Sequence, residues 1–189
     1  MQTKNKKWGV YDIVFIGVMS AVVFVSNFLS IPIGDVTRIH FGNVFCVLSG
    51  LLLGGIKGGL CAGIGSFFYD LTNPFYIAES PITFLFKFVI GFFAGTISHS
   101  GDRGGKNIIF NIIGSVTGSV AYVILYLCKN FIEEFYLIKN PIETVMTKMI
   151  MKGSASLING MIAVVIAVIL APIFIKVIEK SGFGKKLEK

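Results

Sequence analysis

The stretch from Ile108 to Lys129, IIFNIIGSVTGSVAYVILYLCK, carries no charged side chain before its last residue. A helix of roughly 20 apolar residues is long enough to cross a hydrocarbon core of about 30 Å. The whole chain has the same character, because 54% of its 189 residues are hydrophobic and only 14% are charged. A soluble domain is about 45–50% apolar and about 25% charged. The stretch therefore predicts a transmembrane helix in an integral membrane protein.

Five further apolar runs predict an all-α membrane bundle of six transmembrane helices, forming a single domain over residues 1–189. The predicted spans are about 11–29, 41–56, 58–73, 82–99, 108–129 and 149–176. The first run follows Lys4, Lys6 and Lys7, as the apolar part of a signal peptide would. No small-residue cleavage site comes after it, so we interpret it as a retained first helix.

Glycines separate the second run from the third. The segment Gly54-Gly-Ile-Lys-Gly-Gly59 interrupts an apolar stretch whose halves are each near the lower length limit for a span. Four glycines around a lysine favour a tight turn between two helices. The alternative is one long buried helix over residues 41–73.

Basic residues predict the orientation, since Lys and Arg are retained on the cytoplasmic side. With six spans, most of the 17 basic residues fall on one side, in the two terminal tails, the 54–59 turn and the 99–107 loop. The net charge of +7 is therefore a topology signal, with some attraction to anionic lipid, and not a sign of nucleic-acid binding. We expect a multi-pass protein of the cell membrane with both termini cytoplasmic.

Several chemistries are not expected from this sequence. Cys46, Cys61 and Cys128 lack the paired spacing of a metal site or a disulfide framework. The Gly101–Asn107 segment lacks the spacing and the hydroxyl residue of a phosphate-binding loop. No HExxH, GxSxG or carboxylate dyad appears in any span. The sequence thus predicts no enzyme activity, no metal, no cofactor and no ATP use by the chain itself.

Many of the 22 glycines lie within or beside the spans at small-xxx-small spacing. Small residues four apart leave a groove in which another helix backbone can approach closely. Either the bundle itself fills these grooves, or one of them faces outward and binds a partner subunit. For the second case the candidate is the first helix, with Gly17, Ser20 and Ala21.

Polar side chains collect at the predicted outer ends of the spans, where ionisable groups are costly and usually line a cavity. Lys148, Lys152, Ser156 and Asn159 share one helix face because their spacings are four, four and three. The candidate site residues are Arg38, His40, Asn43, Asp70, Asn73, Tyr76, Glu79, Thr83, Lys87, Tyr122, Lys152, Ser156 and Asn159.

Two hypotheses explain these polar residues. In the first, together with aromatic faces that include Phe68, Tyr69 and Phe75, they form a pocket for a flat polar heterocycle. In the second, Lys87 and Lys152 pair with Asp70 or Glu79 and only tie helices together. The 70–81 segment, which contains Pro74 and Pro81, is either a lid over the pocket or an ordinary connector.

Three segments resemble the substrate-binding S components of energy-coupling factor (ECF) transporters, and within them the riboflavin-type family. They are Thr37–Val44 (TRIHFGNV), Leu51–Gly54 (LLLG) and Gly63–Asp70 (GIGSFFYD), in a resemblance that covers roughly residues 11–176. The resemblance implies a vitamin or vitamin precursor captured from outside. It also implies three partners: a transmembrane scaffold subunit and two cytoplasmic ATPase subunits.

The resemblance also implies functional residues. The family contacts its scaffold through an alanine-xxx-alanine pattern on the first helix; Gly17 and Ala21 match it, but Val25 stands where a third small residue would be expected. The ligand would lie among the later helices and the third loop. Riboflavin, a pyrimidine or thiamine precursor, and pyridoxine-like or folate-like compounds all remain open. A self-sufficient ion-coupled carrier is the alternative, although the first and last three spans show no convincing inverted repeat.

Overall fold

The computed structural model describes residues 8–33 and 37–181. Its α-helices are α1 (Val10–Asn27), α2 (Gly42–Leu53), α3 (Gly55–Leu71), α4 (Ser80–Ser98), α5 (Ile108–Ile132) and α6 (Ile142–Lys180). Two short strands, β1 (Ser30–Ile33) and β2 (Thr37–His40), connect α1 to α2. There are 3₁₀ turns at Ile77–Glu79 and Ser100–Asp102 and a π-helical turn at Glu133–Leu137. The terminal lysines used to predict orientation, Lys4, Lys6, Lys7, Lys185, Lys186 and Lys189, lie outside the described residues.

The bundle has the inverted surface pattern of a membrane protein. On α5 the buried face carries Gly114, Ser115, Gly118 and Ser119. The exposed face of the same helix carries large apolar side chains: Ile109, Ile112, Ile113, Val116, Val120 and Ile124. A helix of a soluble protein does the opposite, with its apolar stripe on the core. Small residues inside allow close helix packing, and large apolar residues outside suit lipid.

Four helical segments within the described residues are long and apolar enough to cross a membrane. They are Val10–Asn27, Ile77–Ser98, Ile108–Leu137 and Ile142–Lys180. The remaining two are shorter: α2 has 12 residues and α3 has 17. At about 1.5 Å per residue, α2 rises about 18 Å, little more than half of a hydrocarbon core of about 30 Å. Over residues 8–33 and 37–181 the bundle thus has six α-helices of unequal length.

The boundary between α2 and α3 is a single residue. Gly54 ends α2 with φ = 81°, and α3 begins at Gly55. A positive φ is strained for residues with a Cβ, which is why a glycine stands here. The structure has two helices, as the glycine cluster predicts, and not one long helix. However, the turn is shorter than the predicted 54–59 segment, because Lys57 already lies in the first turn of α3 and pairs with Asp12 of α1.

The structure is a helical bundle, as predicted, but a short β-hairpin that was not predicted precedes α2. Strands β1 and β2 pair antiparallel, with Ser30 opposite His40 and Ile33 opposite Thr37. A four-residue strand is too short to show a convincing alternation in sequence. Each strand here forms only by pairing with the other, and β2 also packs against α6. Arg38 and His40 therefore lie on a strand and not at the start of the second span. The Arg38 side chain lies outside what the structure describes.

Prolines set two helix starts that differ from the predicted ones. The fourth helix starts at Ser80, two residues before the predicted start. Pro81 lies in its first turn, where a backbone N–H would have no acceptor within the helix, so the N–H that proline lacks is not needed. The sixth starts at Ile142, directly after Pro141, and not at residue 149. Its 39 residues rise about 58 Å, so its polar first turns extend beyond the apolar part.

Helix α4 lies at the centre of the packing, in contact with α2, α3 and α5. Close backbone approach makes this possible. A Cβ built on Gly91 of α4 would meet the backbone of Gly58 and Gly59 in α3. Leu48, Leu51 and Ile90 are fully buried in the adjoining apolar core. This core supports the floor of the cavity described next.

Candidate functional site

A cavity of about 620 Å³ lies at the end of the bundle that carries the β-hairpin, the α3–α4 loop and the α5–α6 connection. Eleven of the thirteen predicted site residues line it. They are His40, Asp70, Asn73, Tyr76, Glu79, Thr83, Lys87, Tyr122, Lys152, Ser156 and Asn159. These residues come from β2, α3, the α3–α4 loop, α4, α5 and α6, so it is the fold that brings them together. The volume of the cavity lies within the range of about 300–1,000 Å³ that is usual for small-molecule sites.

Of the two other predicted residues, Asn43 does not line the cavity, and the Arg38 side chain lies outside the described part of the structure. Asn43, near the start of α2, is buried and its Oδ1 accepts a hydrogen bond from Nζ of Lys87. Its role is to hold a cavity side chain. Arg38 lies on β2, where its backbone is opposite Pro32.

Lys87 brings a positive charge deep into the cavity wall. Its side chain is only 5% exposed, and its Nζ lies 4.5 Å from the ring centroid of Tyr122. Isolated buried charges are strongly unfavourable, so such a group needs hydrogen-bond acceptors and polarisable faces around it. Asn43 and the Tyr122 ring supply two of these. The arrangement presents a charged donor beside an aromatic face.

Asn159 joins the β-hairpin to α6. Its Oδ1 accepts a hydrogen bond of 3.0 Å from the backbone N–H of His40. Ser156 lies one turn before Asn159 on the same face and also borders the cavity. The predicted stripe on the sixth helix thus faces the cavity from Lys152 to Asn159, while Lys148 lies outside the lining.

Lys129 ties the α3–α4 loop to α5. Its Nζ lies 2.9 Å from Oε1 of Glu79, in the loop, and 2.6 Å from Oε2 of Glu133, one helical turn further along the chain. Both Lys129 and Glu79 line the cavity. The loop over the cavity is therefore held to the helix bundle by an ion pair.

Lys152 is held from behind. Its Nζ donates to Oδ1 of Asn130 at 2.6 Å and lies 3.6 Å from Oε1 of Glu134. The same Glu134 carboxylate accepts from Lys148 and Asn140. Ion pairs do tie helices together here, as one hypothesis predicts, but the predicted partner of Lys152 is wrong, because Lys152 pairs with Glu134 and Glu79 pairs with Lys129. Glu134 lies in the π-helical turn, which has no sequence signature.

Aromatic rings form much of the remaining wall. Tyr122 and Tyr126 lie on one face of α5 with nearly parallel rings, 5.8 Å between centroids and 16° between planes. Tyr69, Tyr76 and Phe86 complete this part of the lining. Two of the predicted aromatic faces do not belong here, because Phe75 is 90% exposed and Phe68 lines a different groove.

That second groove, of about 690 Å³, lies between α1 and α3 and is almost wholly apolar. Gly17, Ser20 and Ala21 line it. A Cβ built on Gly17 would meet nothing within 4 Å, whereas the other small-xxx-small glycines at 50, 55, 59, 63, 91, 95, 114 and 118 pack against neighbouring parts of the bundle. Of these, only the predicted docking stripe on α1 is left unfilled by the described chain.

The family model for the S component of ECF-type riboflavin transporters matches residues 7–179. The chain belongs to this family. A comparison with curated proteins finds no match. An S component is the substrate-binding subunit of a vitamin transporter in a membrane and not an enzyme. The resemblance seen in the three sequence segments is thereby confirmed over nearly the whole chain.

Tyr69, predicted as an aromatic face of the pocket, does line the cavity. Eight other lining residues of the S component were missed by the sequence-based site: Asn27, Ser30, Ser66, Ile82, Phe86, Tyr126, Lys129 and Asn130. Ser30 lies on the unpredicted hairpin. Tyr126 and Asn130 had a signal, because they follow Tyr122 at spacings of four and share its helix face. Within the described residues no group of three or more His, Cys, Asp or Glu is placed to hold a metal ion.

Proposed function

We propose that this S component captures riboflavin in the cavity at the hairpin end of the bundle, for uptake driven by ATP hydrolysis in partner subunits. One observation carries the proposal: in a chain matched to the riboflavin-type family, one cavity gathers charged donors, carboxylates and parallel tyrosine rings. A flat heterocycle with a polar edge needs an aromatic face for its ring and hydrogen bonds for its edge. Tyr122 and Lys87 offer both side by side.

Orientation and span number belong to the same proposal. All six helices cross or enter the membrane, with both termini cytoplasmic and the cavity opening outward. The distribution of basic residues supports this orientation, since Lys57, Arg103 and Lys106 lie at the end of the bundle opposite the cavity. The short α2 is compatible with it, because most of its residues are buried by neighbouring helices and need not match the lipid thickness alone.

Docking to a transmembrane scaffold uses the groove between α1 and α3. Gly17, Ser20 and Ala21 leave an apolar surface that a partner helix can approach closely. Two cytoplasmic ATPases on that scaffold supply the energy, consistent with the missing phosphate loop. The α3–α4 loop, held by the pair between Lys129 and Glu79, closes the cavity while the bundle reorients.

The test of ligand identity has two parts. Protein purified gently from vitamin-rich medium is denatured, and the small molecules released are identified by mass spectrometry. Ligand-free protein is then titrated against riboflavin, with quenching of flavin fluorescence as the signal. Stoichiometric riboflavin and saturable quenching support the proposal; another vitamin bound at stoichiometric level, or none, refutes the riboflavin assignment.

A further inference from the structure

Glu134 lies behind the cavity wall, where it pairs with two lysines without lining the cavity itself. Its side chain is 8% exposed and its carboxylate accepts from Nζ of Lys148 and Nδ2 of Asn140, each at 2.7 Å. Lys152, which does line the cavity, lies 3.6 Å away. One buried carboxylate thus offsets the charge of a cavity lysine from its far side.

The π-helical turn is what places this carboxylate. The backbone N–H of Ile138 bonds to the carbonyl of Glu133, five residues earlier. Such turns are rare and are frequently found at functional sites. Here the consecutive residues Glu133 and Glu134 serve different lysines, Lys129 on α5 and Lys152 on α6. The wall of the cavity therefore has a carboxylate assigned to each of two lysines near its mouth.

The charges around the cavity balance. Lys87, Lys129 and Lys152 line it, and Lys148 stands behind with Glu134. Four carboxylates oppose these four cations: Asp70 and Glu79 in the lining, Glu133 and Glu134 behind it. The balance is counted over the described side chains and so leaves out Arg38. Among the described side chains, the charge of the three lining lysines is thus offset by nearby carboxylates.

We infer that Glu134 makes the cavity select an uncharged ligand over the phosphate monoester of the same ligand. The inference rests on the proposed riboflavin site. A phosphate monoester carries about −1.5 to −2 charges near pH 7. Its affinity would be much higher for a cationic cavity than for a neutral one. The affinity of an uncharged ligand depends little on the net charge of the cavity. Glu134 is a positioning residue in this scheme, since it acts through Lys152.

The test compares two dissociation constants, for riboflavin and for riboflavin 5′-phosphate, measured by flavin fluorescence quenching on the full-length protein in detergent. In Glu134→Gln the side chain keeps its size, but Lys148 and Lys152 lose their counter-charge. We expect the ratio of the phosphate constant to the riboflavin constant to fall at least tenfold. Glu134→Asp, which keeps the charge, should restore the parent ratio. Glu143→Gln removes an exposed carboxylate at the start of α6 and should leave the ratio unchanged.

A structural role alone would weaken both ligands together, so the ratio separates the two explanations. If Glu134→Gln binds riboflavin but keeps the parent ratio, the inference is overturned. If Glu134→Gln does not fold, Lys148→Gln is tested instead. This variant removes one of the cations paired with Glu134, so the ratio of the phosphate constant to the riboflavin constant should rise. An unchanged ratio overturns the inference. Failure of the parent to bind riboflavin at all refutes the proposed function, and the inference with it.

Discussion

The cavity and the α1–α3 groove have similar volumes, about 620 Å³ and about 690 Å³, but opposite chemistry. The cavity is lined by lysines, carboxylates, amides and tyrosines. The groove is lined by isoleucines, phenylalanines and small residues, with Ser20 and Thr72 as its hydroxyl-bearing members. In lipid an apolar groove is not driven to close by water, so only shape decides what fits it. Buried polar groups, by contrast, demand partners of matching charge and geometry.

The difference in chemistry suggests separate tasks for the two surfaces. Substitutions that alter one surface and leave the other unchanged test this separation. The largest effect is expected at Lys87. Replacing it with methionine keeps an unbranched chain of similar length but removes the charged donor beside Tyr122. Hydrogen bonds to charged groups contribute about 1.5–3 kcal/mol. We expect riboflavin affinity to fall about a hundredfold, or about 2.8 kcal/mol at about 1.4 kcal/mol per tenfold.

The measurement for Lys87→Met is the riboflavin dissociation constant by fluorescence quenching, with thermal unfolding to verify the fold. Lys176→Met is the matched control, because this exposed lysine lies near the far end of α6. It should bind like the parent. A well-folded Lys87→Met protein with parental affinity would show that the charged floor of the cavity takes no part in ligand binding.

A second prediction acts on the groove. Gly17→Leu should abolish copurification of the scaffold subunit when the full transporter is coexpressed, while riboflavin affinity stays within about twofold of the parent. The reason is geometric, since a side chain at this position meets nothing within the bundle and projects into space that a partner helix would need. Val18→Leu is the control, because Val18 is exposed on the same helix but does not line the groove.

Retention of the scaffold by Gly17→Leu would remove α1 from the docking surface. Loss of riboflavin binding in the same variant would show instead that the two surfaces are coupled within the isolated subunit. Either result would break the separation of tasks that their chemistry suggests.

Helical periodicity explains why much of the site was predictable. Thr83 with Lys87, and Lys152 with Ser156 and Asn159, recur at spacings of three and four, which fixes them on one face whatever the neighbouring helices do. The glycine cluster at residue 54 likewise identified the break between α2 and α3, because few residues other than glycine tolerate a positive φ. These inferences need only local geometry.

The predictions that were wrong concern contacts between distant segments of the chain. The choice of Glu134 and not Asp70 as the partner of Lys152 requires the π-helical turn and the placement of α5 beside α6. The β-hairpin requires two four-residue strands to meet, and neither strand carries enough alternation to be recognised alone. Such pairings are decided by tertiary packing, which no single stretch of sequence records.

The smallest effect is expected at the loop that covers the cavity, in Glu79→Gln. The pair between Glu79 and Lys129 joins the α3–α4 loop to α5, but Glu79 is 43% exposed, and partly exposed pairs contribute about 0–1 kcal/mol. We expect riboflavin release to accelerate two- to fivefold, measured by stopped-flow recovery of flavin fluorescence. Glu133→Gln is the matched control: it removes the other carboxylate on Lys129, but that pair lies within one continuous helical segment and holds no loop. If both variants release riboflavin equally fast, the charge on Lys129 matters and the tether to the loop does not, so the loop would be a connector and not a lid.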